Sequence, residues 1–404
     1  MSTDRGRSQA LAIFRAGLRG VDGRARTRET LRARHGGDWS HLIAVGKAAG
    51  AMALGARDAL GDRPGAGVIV GPRGFADAEL NKLPFRLIEA GHPLPDAGSL
   101  QAGAAIVALI ERAPADASFL CLISGGASAL VEHLPDGVDL EALVDLNRWL
   151  LGSGLDIAAM NRIRQAVSTL KGGRLAVALA GRTCLALLIS DVPGDDPALI
   201  GSGLLCAARG PLPRIPDGLR RRLRLAPPPA PDDPAFRSIR HEVIASPEVA
   251  LEAARAAAEA AGYPAVVATE RLRGDAAEAG SRIAQALTGG APGVRLWAGE
   301  TTVELPSEPG RGGRCQHLAL AAAIELAGMN DCVLLAAGTD GRDGPGAPAG
   351  AIVDGGTLAR GRGRDARACL RRAHSGAFLE AAGDLLHTGP TGTNVADLVI
   401  GIRD

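Results

Sequence analysis

Short apolar runs alternate regularly with segments of helical periodicity along this chain. Between two such runs, residues 97–112 place Leu100, Ala104 and Val107 at helical spacing. Strands that alternate with helices form parallel sheets covered on both faces, which predicts an α/β domain in the first half of the chain. The predicted strands are HLIAV (41–45), GVIV (67–70), FRLIEA (85–90), SFLCLI (118–123) and CLALLIS (184–190).

A second alternating series follows a proline-rich segment, residues 211–234. Proline removes backbone donors and fixes φ, so we interpret this segment as a connection between domains. A length of 404 residues allows about two or three domains, and we place an N-terminal α/β domain at residues 1–236 and a C-terminal one at residues 237–404. The later predicted strands are EVIAS (242–246), AVVAT (265–269), GVRLWAG (293–299), CVLLAAG (332–338) and DLVIGI (397–402).

Composition argues against several classes of partner. The chain has 45 basic and 44 acidic residues, and its net charge of +1 provides no field for bulk nucleic-acid binding. Its charged beginning and the lack of a long apolar run predict neither a signal peptide nor a membrane span. The six cysteines form no CxxC pair, which is typical of reduced, mostly buried thiols in a cytoplasmic protein. We expect a monomer or homodimer that acts on a small molecule.

Polar or glycine-rich stretches follow many of the predicted strands. In open α/β sheets, ligands bind beyond the carboxyl ends of the strands, so these stretches are the candidate site. They are Gly46–Lys47, GHPLPD (91–96), SGGAS (124–128), DVPGDD (191–196), Glu300 and TDGRDGP (339–345).

The SGGAS stretch, residues 124–128, has two readings. Successive backbone N–H groups can cradle a phosphate, whereas glycine is also the default residue of a tight turn between strand and helix. Lys47 has a similar ambiguity, because a cation at the start of a helix opposes the helix dipole unless an anion is bound there. The alternative is a surface lysine. The chain contains neither a Walker A loop nor a G-x-G-x-x-G after its first strand.

Acidic residues could hold a metal ion or act as bases. The carboxylates of Asp191, Asp195 and Asp196 are hard oxygen ligands that suit Mg²⁺ shared with substrate phosphates, although a solvated acidic turn has the same composition. Glu300 comes directly after an apolar strand, where burial of its carboxylate costs free energy unless the group binds a ligand or pairs with a cation. Asp340 and Asp343 only faintly resemble a calcium loop.

Two further loops offer donors to an anionic or polar ligand. Arg314 precedes a helix in a glycine-rich stretch and could present a fork of donors to phosphate or carboxylate. The loop HTGPTGTNVAD (387–397) carries hydroxyl and N–H groups that could hold a small polar ligand, or it could be structural. His92 could serve a site or cap a turn, and the histidines show no metal-ligand spacing.

The order of these motifs resembles the glycerate 2-kinase family, which has a glycerate-kinase domain and a C-terminal MOFRL domain. The resemblance runs from about Val45 to Ile402. The motifs that carry it are VGKAAGAMA (45–53), GHPLPDAGS (91–99), LISGGASAL (122–130), MNRIRQAVSTLKGGRLA (160–176), ISDVPGDDPALIGSG (189–203), GETTVEL (299–305), GRGGRCQ (310–316), GTDGRDGPGAPAGAIVDGGT (338–357) and TGPTGTNVADL (388–398).

The resemblance implies ATP-dependent phosphorylation of D-glycerate at its 2-hydroxyl, with Mg²⁺, in a cleft between a Rossmann-like parallel-sheet domain and a smaller MOFRL-type α/β domain. It implies that Lys47 and Arg314 act on the phosphoryl group and substrate, and that Asp191 is the aspartate of the family's acidic motif. Our own hypothesis is that Asp191, with Asp195, holds the metal. Glu300 and Asp340 would be the acidic residues of the second half. The expected nucleotide-binding residues are Ser124, Gly125, Gly126, Ala127, Ser128, Gly389, Thr391 and Asn394. The backbone of Ser124–Ser128 would cradle either phosphate or the carboxylate of glycerate.

The chain departs from the family pattern at Cys315 and His317, which replace an asparagine and an acid. These departures put the substrate or metal geometry in question more than the reaction class. Two alternatives remain open. A hydroxypyruvate reductase needs a nicotinamide site, which the missing glycine fingerprint disfavours. A non-catalytic sensor of small acids could use the same scaffold, although it would need fewer charges of both signs.

Overall fold

A computed structural model describes residues 3–34 and 37–404. The chain divides into two compact units, each with its own six-stranded sheet. The first unit comprises Gly23–Ala245 and Gly392–Asn394. The second comprises the described residues up to Asp22 together with Ser246–Thr391 and Val395–Asp404. The predicted fold class, two α/β domains, is confirmed.

The sheet of the first unit is parallel throughout, in the order β3-β2-β1-β4-β5-β6. The chain builds outward from β1 in one direction and from β4 in the other, so the order reverses between these two central strands. Such a switch point leaves a crevice at the carboxyl ends of the strands. The strands are β1 (His41–Val45), β2 (Ala66–Pro72), β3 (Arg86–Ala90), β4 (Phe119–Ile123), β5 (Cys184–Ile189) and β6 (Ile239–Ala245).

Helices cover this sheet, and aliphatic side chains such as Ile43, Ile106 and Leu188 fill its core. The helix predicted over residues 97–112 is present and begins with a capping box between Asp96 and Ser99. The helices of the first unit are α2 (Gly23–Arg34), α3 (Ala49–Leu60), α4 (Ala97–Arg112), α5 (Ala127–Leu130), α6 (Leu140–Gly152), α7 (Ile157–Val167), α8 (Arg174–Ala178) and α9 (Asp217–Arg220).

The interpretation of residues 211–234 as a connection between domains is wrong. The segment lies inside the first unit between β5 and β6, where Ile215 and Leu223 are buried against residues of α6 and α7. These apolar anchors fix an irregular backbone without a sheet or a long helix. Because β6 pairs with β5, the first unit continues to Ala245 instead of ending at residue 236.

The second unit contains a mixed sheet in the order β11-β10-β9-β12-β8-β7, in which only β7 and β8 run parallel among the described strands. The sequence did not predict β10 or β11, because one lies in a glycine-rich stretch and the other has two residues. The strands are β7 (Ala265–Val267), β8 (Gly293–Gly299), β9 (Cys332–Gly338), β10 (Gly350–Asp354), β11 (Leu385–Leu386) and β12 (Asp397–Arg403).

The first helix of the chain also belongs to the second unit, unlike the predicted N-terminal domain of residues 1–236. Gly17 allows the backbone of this helix, α1, to approach Ala250, because an added methyl group would lie 3.2 Å from the Ala250 carbonyl oxygen. The helices of this unit are α1 (Thr3–Gly20), α10 (Pro247–Ala260), α11 (Ala276–Thr288), α12 (Arg314–Glu325), α13 (Thr357–Arg360), α14 (Ala366–Arg371) and α15 (Ser375–Ala382).

Two sequence-level expectations concern the whole chain. All six cysteines are free, and only Cys206 among them is not fully buried, as their positions predicted. None of the described helices combines the length and the apolar character that a membrane span requires.

Candidate active site

The loops after the two central strands of the first unit interlock at the switch point. Val45 of β1 lies opposite Ile123 of β4, so Lys47 and the SGGAS loop emerge side by side. The N–H of Lys47 donates to the carbonyl of Gly125 at 3.0 Å, and the N–H of Ala48 donates to Ser124 Oγ at 3.0 Å. Ser124 is fully buried. The sequence-predicted loop and lysine therefore share one rigid backbone framework.

Asp191 and Asn394 lie directly against this loop. A methyl group added at Gly125 would lie 1.9 Å from Asp191 Oδ2 and 2.0 Å from Asn394 Nδ2. The Asn394 amide donates to Asp191 Oδ2 at 2.9 Å, although the two residues are 203 positions apart. Only glycine allows this approach, since any side chain at Gly125 would separate the loop from the carboxylate.

Gly126 completes the same group of residues, which we call the glycine-loop cluster: Lys47, His92, Ser124–Ser128, Asp191 and Asn394. Gly126 has φ of 84°, in the left-handed region that favours glycine. A methyl group there would lie 3.2 Å from both Lys47 Cγ and His92 Cδ2. The cluster thus combines a cation, a carboxylate and glycine backbone at the end of parallel strands.

The fit to Mg²⁺ depends on Asp191 of this cluster and on Asp195 and Asp196, which follow it in the same loop. The described residues contain no group of three or more His, Cys, Asp or Glu side chains that could enclose a metal ion. Asp195 Oδ1 is buried and lacks a hydrogen-bond partner among the described residues, whereas Asp196 accepts from the N–H of Ala198 at 2.9 Å. Mg²⁺ in kinases is held by one or two carboxylates plus phosphate oxygens. The acidic loop after β5 has the carboxylates that this mode needs, whereas the described residues offer no protein-only cage.

A second group of charges, which we call the Arg314 cluster, lies in the second unit. Arg314 Nη1 donates to Glu300 Oε2 at 3.0 Å, and its Nη2 lies 3.4 Å from Asp397 Oδ2. Strand β12 lies between β8 and β9, so Asp397 is opposite both Gly299 and Gly338. This register places Asp397 between the strand ends that carry Glu300 and Asp340.

Burial controls the protonation of the Arg314 cluster. Burial, together with the negative charges of Glu300, Asp343 and Asp340, raises the pKa of Asp397 to about 7 against the lowering effect of Arg314. Burial alone would lower the pKa of Arg314, but Asp397 and Glu300 outweigh it and the pKa is raised. Arg314 therefore stays charged, whereas Asp397 gains or loses its proton near neutral pH.

Asp343 orients the helix that begins at Arg314. Its carboxylate accepts from the N–H groups of Cys315 and Gln316 at 3.0 and 2.8 Å, at the first turn of α12. The pKa of Asp343 is raised, because burial outweighs the lowering effect of these two backbone hydrogen bonds. A carboxylate at a helix N-terminus is favourable, so Asp343 is a positioning group for Arg314.

The loop predicted to bind a polar ligand is divided between the units. The Thr391 hydroxyl donates to the carbonyl of Thr339 in the second unit, and Gly389 is exposed near Gly341. Asn394 belongs to the first unit. Gly389 and Thr391 thus lie beside the Asp340 turn of the second unit.

Sequence reasoning did not single out Asp397. The signal was present, because an acid opens the predicted strand 397–402, but its significance depends on the register with β8 and β9. His317, a departure from the family pattern, is buried, and its Nδ1 lacks a hydrogen-bond partner among the described residues. Burial lowers the pKa of His317, which favours the neutral imidazole, so His317 adds no positive charge to this region.

A cavity of about 620 Å³ lies elsewhere in the second unit, and its lining includes Glu278, Arg282 and Arg371. None of the predicted site residues lines it. The candidate site therefore rests on convergent chemistry and not on cavity size.

Asp397→Asn tests the buried carboxyl. The pKa of Asp397 is about 7 in the native state and about 4 in the unfolded chain. Between pH 4 and pH 7 the native state therefore binds more protons than the unfolded state, so the free energy of unfolding falls as pH rises through this range. The variant lacks this pH dependence. We therefore expect the difference in free energy of unfolding, variant minus unsubstituted protein, to increase from pH 4 to pH 7 by at most about 1.4 kcal/mol per pH unit. Denaturant titrations at several pH values measure this difference.

Glu304→Gln, at an exposed acid, is the matched control and should show no such trend. If the free energies of unfolding of Asp397→Asn and of the unsubstituted protein change with pH in parallel, Asp397 ionises at acidic pH and the prediction is wrong.

Comparison with known proteins agrees with this two-unit architecture. Residues 9–215 match the family model DUF4147, described as a domain of unknown function, and residues 293–397 match the MOFRL family. The chain is 35% identical to "D-glycerate 2-kinase" of Thermotoga maritima, over 89% of this chain and 90% of that protein. It is 37% identical to a "putative hydroxypyruvate reductase" of Agrobacterium vitis, over 88% of this chain and 97% of that protein.

A solved structure shows the same fold. The crystal structure of glycerate kinase from Thermotoga maritima superimposes on this structure with a TM-score of 0.84 and a sequence identity of 32%. The superposition covers 99% of this chain and 100% of that chain.

Proposed function

Because this chain belongs to the glycerate 2-kinase family and is a kinase, we propose that it transfers a phosphoryl group from ATP to the 2-hydroxyl of D-glycerate, giving 2-phosphoglycerate and ADP. The observation that carries the proposal is the glycine-loop cluster. Lys47, the backbone of Gly125 and Gly126, and Asp191 converge at the switch point of a parallel sheet. Anionic ligands bind at such points in α/β proteins.

The glycine-loop cluster supplies the groups that phosphoryl transfer requires. That reaction demands chiefly positioning and neutralisation of charge on the phosphate oxygens. In the proposal, the backbone of Ser124–Ser128 cradles phosphate, Lys47 neutralises its oxygens, and Asp191, with Asp195, holds the Mg²⁺ that accompanies ATP. Asn394 fixes the Asp191 carboxylate through its 2.9 Å hydrogen bond.

The Arg314 cluster supplies a second cation and the candidate bases. Arg314 is anchored by Glu300 and Asp397 yet keeps 40% of its side chain exposed, so it can reach a bound anion. Glu300 or Asp340 would orient the 2-hydroxyl or accept its proton. Gly389 and Thr391, which lie beside the Asp340 turn, remain the other proposed nucleotide contacts.

A product assay tests the proposal. The protein is incubated with ATP, Mg²⁺ and D-glycerate, and the product is coupled either to enolase alone or to phosphoglycerate mutase plus enolase. We expect a signal with enolase alone, because enolase acts directly on 2-phosphoglycerate. A signal that needs mutase would identify the 3-hydroxyl as the acceptor and would contradict the regiochemistry.

The reductase alternative rests on the name that two relatives carry, and the same preparation tests it. Oxidation of NADH in the presence of hydroxypyruvate, without ATP consumption in the kinase assay, would favour that activity. The loop after β1 reads Gly46-Lys47-Ala48 and lacks the glycine fingerprint of dinucleotide sites, so we expect no NADH oxidation.

A further inference from the structure

A polar network leads from the glycine-loop cluster to Arg164 on α7. The hydroxyl groups of Ser128 and Ser202 are hydrogen bonded at 2.8 Å, and Ser202 Oγ donates to Asn161 Oδ1 at 2.9 Å. Asn161 Oδ1 in turn lies 3.5 Å from Arg164 Nη1. Arg164 is therefore connected to the last residue of the SGGAS loop through two intervening side chains.

Neutral groups hold the Arg164 guanidinium in place. Its Nε donates to Asn147 Oδ1 at 3.1 Å, and its other described partner is Asn161. Amide oxygens orient a guanidinium without cancelling its charge. Within residues 3–34 and 37–404, no carboxylate forms an ion pair with Arg164.

The nearby acid is already used by another cation. Glu132 Oε2 accepts from Lys171 Nζ at 2.5 Å, and each of these two side chains is only 2% exposed. Glu132 still raises the pKa of Arg164 electrostatically, but burial lowers it and is the larger effect. One buried carboxylate thus serves two cations, which leaves positive charge at Arg164.

Two neighbouring arginines have structural partners instead. Arg174 donates to the carbonyls of Ala226 and Pro227 at 2.8 and 2.9 Å, which ties the proline-rich segment to α8. Arg162 Nε donates to the Gly210 carbonyl at 3.0 Å. Arg164 differs from both because its partner Asn161 belongs to the network that reaches Ser128. A half-buried charge of this kind is costly unless an anion pairs with it.

We propose that Arg164 binds the carboxylate of the acceptor 2-hydroxy acid and so makes the enzyme selective for acids over polyols. The inference rests on the proposed function and deepens it. A planar guanidinium fork matches the two oxygens of a carboxylate, and its amide partners orient it in advance. Lys47 and Arg314 then remain for the phosphoryl group.

Three variants test the assignment: Arg164→Gln, Arg164→Lys and the matched control Arg162→Gln from the same helix. We expect Arg164→Gln to raise the KM for D-glycerate on the order of 100-fold, because charge-assisted hydrogen bonds are lost, while the KM for ATP changes by less than about twofold. Arg164→Lys keeps the charge without the fork and should be intermediate. Arg162→Gln should behave as the unsubstituted protein.

D-Glyceramide, in which the carboxylate is replaced by a neutral amide, provides a second readout. The unsubstituted protein should prefer D-glycerate, and Arg164→Gln should lose most of that preference. A merely structural role would lower activity with both acceptors equally. Thermal unfolding shows whether each variant is folded. If Arg164→Gln does not fold, the KM values of Arg164→Lys for D-glycerate and ATP test the assignment instead.

Two results would overturn the assignment: an increase in the KM for ATP alone, which would place a nucleotide phosphate at Arg164, or no change in either KM. Calorimetric titration with D-glycerate in the absence of ATP separates this inference from the proposed function. Binding that Arg164→Gln abolishes, in a protein that does not phosphorylate D-glycerate, would support Arg164 and contradict the kinase proposal. A protein that neither binds nor phosphorylates D-glycerate contradicts both.

Discussion

Lys47→Met is expected to lower kcat by about three orders of magnitude while the protein stays folded. The Lys47 backbone is locked to Gly125 by a 3.0 Å hydrogen bond, and its side chain passes beside Gly126. A cation held by rigid backbone needs little reorganisation as charge develops on the transferring phosphate. Methionine keeps much of the apolar stem and removes the charge. Steady-state kinetics with D-glycerate and ATP measure the loss.

Lys82→Met is the matched control, because Lys82 is exposed at the end of a short helical turn in the same unit. Its kcat should equal that of the unsubstituted protein. If Lys47→Met retained full turnover and changed only binding, Lys47 would not act on the phosphoryl group, and the role assigned to it would be incorrect.

Gly125→Ala is expected to reduce kcat/KM by at least about 100-fold, because an added methyl group cannot coexist with the Asp191–Asn394 pair. That group would lie 1.9 Å from Asp191 Oδ2 and 2.0 Å from Asn394 Nδ2, so the carboxylate must move away from the loop. The same displacement should lower the midpoint of thermal unfolding. Kinetics and a melting curve on one preparation measure both effects.

Gly152→Ala provides the control, since a methyl group at Gly152 meets nothing within 4 Å. It should change neither activity nor the melting temperature appreciably. Unchanged activity in Gly125→Ala would show that catalysis tolerates displacement of Asp191, and it would remove Asp191 from the proposed Mg²⁺ site.

Local patterns in the sequence were enough to predict the secondary structure around the candidate site. GVRLWAG (293–299) and CVLLAAG (332–338) match β8 and β9 residue for residue. Strands buried on both faces must be apolar throughout, and the chain changes to polar residues where a strand ends. The positions of Lys47 and Glu300 after their strands were therefore visible without a structure.

Pairing between distant segments was decided only by the tertiary structure. The hydrogen bond between Asp191 and Asn394 spans 203 positions, and Asp397 gains its three acidic neighbours only because β12 lies between β8 and β9. The same holds for the placement of α1 in the second unit and of residues 211–234 in the first. Periodicity records which face of a segment is buried, but the partner that buries it is chosen by packing across the whole chain.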